Sequence, residues 1–128
     1  MRRAIHWGVG LLLAMAATQC HGQTSAATEN GRQTALALEQ QGKNVEAEAA
    51  WRAYLKAHPS SSESYAHLGL LEARQGHYKE AVPLYRKALA IGPEVPGLRL
   101  NLGLALFKGG DLKEAIQEFS RRARRFWS

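Results

Sequence analysis

Glycine returns at a fixed interval in this chain: Gly42, Gly76 and Gly110 are spaced by 34 residues. Ala47, Ala81 and Ala115 keep that interval, and so do the aromatic residues Trp51, Tyr85 and Phe119. Pro59 and Pro93, Leu68 and Leu102, and Gly69 and Gly103 are also 34 apart. When glycine aligns with glycine and aromatic with aromatic, one packing arrangement is being built three times. A unit of this size cannot bury its own apolar face, so it stacks on its neighbours. With 128 residues, 45% hydrophobic and 22% charged, the chain has the size and composition of one folded domain rather than a disordered segment.

Each period reads as two helices. In the middle unit, Ser60 and Glu63 have capping-box spacing, and a helix is expected from there to about Gln75, ended by Gly76 in a left-handed conformation. A second helix is expected from about Tyr78 to Ile91, stopped by Gly92 and Pro93. Asp111 and Glu114 repeat the capping spacing in the third unit. Tyr65, Leu68, Gly69 and Glu72 share one helix face, and Ala81, Tyr85, Ala88 and Leu89 share another. Small Gly69 and Ala81 suit the points where two backbones approach, and Tyr65 and Tyr85 suit the wider gaps. Pro83 lies inside its helix and is expected to remove one backbone hydrogen bond and bend the start.

On these residues the chain resembles the tetratricopeptide repeat family, whose 34-residue unit carries the pattern W-x₂-L-G-x₂-Y…A-x₃-F…A…P. The middle unit has Tyr65, Leu68, Gly69, Ala81, Tyr85, Ala88 and Pro93 at pattern positions, with Glu72 departing from it. The third keeps Leu102, Gly103, Ala115 and Phe119 but places Arg99 and Arg122 where an aromatic and a small residue are expected. The first keeps Ala47, Trp51 and Pro59, with Gly31 and Thr34 in place of bulky residues. The resemblance implies an all-α fold, a right-handed α-solenoid of three helix-turn-helix units and about six helices. The expected repeats are 28–61, 62–95 and an incomplete 96–128, within a repeat domain at 28–126.

Catalysis is not expected. The five histidines form neither HExxH nor a paired metal spacing, and Gly109-Gly110 lacks the GK[ST] of a phosphate loop. No cofactor or metal is expected. The resemblance implies instead a concave surface lined by the first helix of each unit. Residues offset from the packed face put Leu36, Leu70 and Leu104 there as an apolar ladder at the repeat period, flanked by His67, Arg74, Asn101 and Lys108. Two readings stand: the leucines complete packing between repeats, or they form a groove for a partner protein or peptide. Some family members clamp a terminal carboxylate on this surface. Arg32 and Asn101 occupy clamp-like places, but Leu36, His67 and Gly97 stand where polar or cationic groups are needed, so that specificity is not expected.

Both ends carry positive charge. Arg2 and Arg3 precede an apolar, uncharged run from Trp7 to Ala17 and then small or polar residues, the three-part form of a secretory signal. The apolar run is too short to span a bilayer, which takes about 20 residues. A signal peptide at 1–22 with cleavage after Gly22, then a linker at 23–27, implies a secreted or periplasmic protein; lipidation of Cys20 would make it an anchored lipoprotein instead. At the other end, Arg121, Arg122, Arg124 and Arg125 stand with Phe126 and Trp127 in a tail at 121–128. Three expectations attach to that tail. It extends the last helix while the two aromatics fold back as a cap, or the array is cut short and self-associates through its open end, or it is a patch for nucleic acid or an anionic membrane. The chain's formal charge of +6 resides at these two ends, since the remaining residues balance.

Overall fold

A computed structural model describes residues 20–128, with side chains from residue 29 onward. The expected signal lies outside the described residues except for the backbone of its last three, and the choice between Gly22 and Cys20 lies there with it. Six helices follow in order: α1 (Cys20–Gln40), α2 (Asn44–Ala57), α3 (Ser62–Arg74), α4 (Tyr78–Ile91), α5 (Leu98–Gly109) and α6 (Leu112–Trp127). Residues 23–27, expected as a linker, are helical within α1. The described residues contain no strand. Helices pack as the pairs α1 with α2, α3 with α4 and α5 with α6, and each pair leans on the next through α2–α3 and α4–α5. This is the all-α solenoid of three units that the period requires. Helix α3 also touches α5 directly.

One turn is used three times. The amide of His77 donates to Glu72 carbonyl at 2.9 Å and that of Gly76 to Ala73 carbonyl at 3.1 Å. Lys43 and Gly42 repeat this with Leu38 and Glu39, and Asp111 and Gly110 with Leu106 and Phe107. These are the paired bonds of a Schellman motif, which satisfy the last carbonyls of the first helix and demand a left-handed residue. Gly42, Gly76 and Gly110 supply it with φ of 72°, 83° and 95°. The turn explains the period's most regular residue.

The capping expectations need correction. Helix α3 is capped by Ser61, not Ser60: its hydroxyl accepts from the Ser64 amide at 3.1 Å from an extended backbone. With Ser61 as the cap the box position falls on Ser64 rather than Glu63, and Glu63 pairs instead with Arg32 of α1, through Nε at 2.7 Å and Nη2 at 2.6 Å. Asp111 stands at the start of α6 without a side-chain cap bond, since the Schellman turn fixes its ψ at 64° rather than in the extended range. Pro83 lies on the exposed side of α4, which runs unbroken from Tyr78 to Ile91.

Two apolar cores flank α3. Ala35, Ala47, Trp51, Leu68 and Leu71 form the first, and Ala81, Val82, Tyr85, Ala88, Leu98, Leu102, Ala105, Leu106 and Ala115 the second. Helix α3 therefore sends Leu68 and Leu71 backward and Tyr65, Ala66 and Ala73 forward. The aromatics at the repeat period lie on small residues: a Cβ at Gly69 would sit 2.9 Å from the Tyr85 ring, and one at Gly103 would sit 2.5 Å from Phe119. In the first unit Ala35, fully buried, takes the equivalent position near Trp51.

Candidate binding cavity between α3 and α5

Where α3 meets α5 an open cavity of about 340 Å³ forms. Leu70, Ala73, Leu104 and Ala105 give it aliphatic walls, Tyr78 and Tyr85 aromatic ones, and Arg74, Asn101 and Lys108 its polar groups. The cavity follows from the local fold. Leu70 and Leu104 are offset from the faces of α3 and α5 that pack into the two cores, and Arg74 and Lys108 lie one helical turn further along. Basic residues in these last turns also complement the helix dipoles. Leu104 keeps 42% of its surface exposed even beside the cavity. The Lys108 ammonium sits 5.4 Å from the centroid of the Tyr78 ring.

Five of the seven residues expected on this surface are thus brought together: Leu70, Leu104, Arg74, Asn101 and Lys108. Leu36 and His67 are not among them. Leu36 packs against the first core, so the ladder has two rungs at the cavity rather than three. The imidazole of His67 stacks on Trp51 at 4.5 Å between centroids, and its Nδ1 lies 2.7 Å from Glu39 Oε1 without hydrogen-bond alignment. Glu39 stands outside the seven expected residues. Its nearly buried carboxylate accepts from Trp51 Nε1 at 2.5 Å and lies 3.5 Å from Arg74 Nη1. No sequence spacing announces this cluster, because it joins α1, α2 and α3.

Tyr78 and Tyr85 were also missed as lining residues. Tyr85 was legible as a core aromatic, and it is one: burial pushes its hydroxyl up to about 12. Arg32, at a clamp-like place, is spent on Glu63. That pairing raises the guanidinium and holds the Glu63 carboxyl below the usual carboxylate range.

The tail at 121–128 extends α6 as one helix through Trp127. Its aromatics do not fold back, because Phe126 is 84% and Trp127 89% exposed. A helix rising 1.5 Å per residue carries them outward along its own axis. Arg121 pairs with Glu118 at 2.7 Å and Arg125 with Glu94 at 3.4 Å, leaving Arg122 and Arg124 without a carboxylate within 4 Å among the described residues. Exposed Leu112, Ile116, Ala123 and Trp127 recur on one face of the same helix. Among the described residues no three metal-ligating side chains cluster, and no helix is long and apolar enough to cross a membrane.

A family model described as tetratricopeptide repeat matches residues 32–96, and a second with the same description matches residues 72–125. The chain is 36% identical over 86 residues to a probable biofilm formation methyltransferase, WspC, of Pseudomonas putida, a match covering 66% of this chain and 20% of that one. It is 40% identical over 62 residues to the TPR repeat-containing thioredoxin TTL4 of Arabidopsis thaliana, covering 48% of this chain and 9% of the relative. It is 36% identical over 53 residues to surface lipoprotein assembly modifier 1 of Neisseria meningitidis, covering 41% and 11%. The chain spans a fifth or less of the length of these relatives. Among solved structures, the type III secretion translocator chaperone SycD of Yersinia enterocolitica superposes with a TM-score of 0.68 at 22% identity, over 73% of this chain and 70% of that one.

Proposed function

We propose that this chain, which belongs to the tetratricopeptide repeat family, is a non-catalytic module that holds a segment of a partner protein in the cavity between α3 and α5. Members of the family mediate protein–protein interaction. The observation that carries the finer reading is the half-exposed Leu104 facing Leu70 across a concave apolar surface. An apolar side chain left in water beside a cavity gains on covering about 25 cal/mol for each Å² removed from solvent. Extended and helical segments both dock in such grooves through a few anchors. The protein acts outside the cytosol, as the three-part N-terminal sequence suggests, exported as a periplasmic or secreted protein or held as a lipoprotein through Cys20.

A photo-crosslinking residue placed at Leu104 tests the assignment, with Lys87 on the exposed side of α4 as the reference position. Crosslinking to another polypeptide from position 104 and not from 87 is expected. Equal crosslinking from both positions contradicts it.

A second reading attaches to α6. Its exposed Leu112, Ile116, Phe126 and Trp127, with Arg122 and Arg124 free of acidic partners among the described residues, suit the surface of an anionic membrane better than nucleic acid, which offers no apolar medium for such a stripe. Co-sedimentation with anionic vesicles that persists when Phe126 and Trp127 are changed to Ser would count against it.

A further inference from the structure

The cavity between α3 and α5 is apolar in its walls and cationic at its rim, and the two properties select the same kind of ligand. Arg74 and Lys108 stand one repeat apart, in the last turns of adjacent helices. Among the described residues no acidic side chain lines the cavity. Among the described residues Lys108 has no carboxylate within 4 Å, and its ammonium rests over the Tyr78 ring. Arg74 is more than a third exposed and meets Glu39 Oε2 through Nη1 alone, at 3.5 Å, so its other donors stay open. Both cations therefore keep donors for an incoming anion. Between them the half-buried Asn101 offers a carboxamide, which can donate and accept toward a peptide backbone.

Resting on the function proposed above, we infer that the segment this cavity takes is acidic as well as apolar: a stretch of protein that sets a carboxylate beside an aliphatic side chain. The aliphatic group covers Leu70 and Leu104, and the carboxylate meets Arg74 and Lys108. Charge-assisted hydrogen bonds next to an apolar wall are less screened than those in open water. A cationic segment of the same hydropathy is rejected, since like charges facing across the rim cost binding.

Three labelled peptides of equal length test this against the full chain by fluorescence anisotropy: alternating Leu and Glu, Leu and Gln, and Leu and Lys. The Leu–Glu peptide is expected to bind about tenfold more tightly than Leu–Gln, with the gap closing at about 0.5 M salt. Lys108→Glu with Arg74→Glu is expected to turn the preference toward Leu–Lys; Lys108→Gln, on an exposed side chain, serves if that pair fails to fold. Equal affinity for Leu–Glu and Leu–Gln overturns the acidic selectivity and leaves the groove standing. Binding of Leu–Glu that survives Leu104→Asp overturns the groove itself.

Discussion

A buried ring decides what a methyl group costs at Gly69. In an exposed helix, glycine to alanine is favourable by about 1 kcal/mol. Here the added Cβ would lie 2.9 Å from Tyr85, a ring with almost no exposed surface. Overpacking of a filled core costs about 1–3 kcal/mol, so the clash wins and Gly69→Ala should lower the urea midpoint. At Gly103 the nominal approach to Phe119 is closer, 2.5 Å, but Phe119 is only partly buried. Its ring can swing outward, so Gly103→Ala should cost less than Gly69→Ala. An unchanged midpoint for Gly69→Ala would contradict the close fit. Tyr85 itself gives a pH test. Its folded value is raised to about 12 by burial, so the stabilisation is complete below the ordinary tyrosine value and is lost as pH rises toward that number. Tyr85→Phe should remove this part of the alkaline loss, read from unfolding midpoints at rising pH. These residues were legible because packing positions repeat; Glu39 was not, since a carboxylate bonding an indole from another helix leaves no period.

Helices in this chain begin and end where backbone hydrogen bonds dictate, and that is where residue spacing misled. The Ser60–Glu63 spacing fits a capping box, yet Ser61 caps α3 because the helix starts at Ser62 and Glu63 is drawn across to α1. A spacing rule sees one strand of sequence; it cannot see a guanidinium arriving from 31 residues away. The Schellman glycines were legible because the turn needs a positive φ whatever surrounds it. Gly76→Ala, at φ 83°, should destabilise by about 1 kcal/mol although the space beside it is open. A thermal midpoint equal to that of the natural chain would contradict this. The Arg32–Glu63 bridge joins α1 to α3, and because its hydrogen bonds depress the Glu63 value, its contribution is present above the ordinary carboxylate range and is lost as pH falls below it. Both partners are about a third exposed, so the contribution is about 0.5–1 kcal/mol. Arg32→Ala should therefore lower stability near neutrality and by less in acid, as unfolding at two pH values would show.

At the scale of the molecule, the period determined the architecture, and the partner side of the surface was only half readable. Leu70 and Leu104 keep their register at the cavity, whereas Leu36 packs against the first core, which includes Trp51. Leu112 and Ile116 occupy the places that Tyr78 and Val82 hold one repeat earlier: Val82 is buried in the core that includes Leu98 and Leu102 of α5, and Ile116 is exposed. The same repeat position is core in one unit and surface in another, and the stacking partner distinguishes them. The central claim is that the α3–α5 side receives the partner. Amide chemical shifts of the isotope-labelled chain, followed while the Leu–Glu peptide is added, test it most directly. The account predicts shifts concentrated at Leu70, Ala73, Asn101 and Leu104; shifts confined to α6, or to the exposed side of α4, would contradict it.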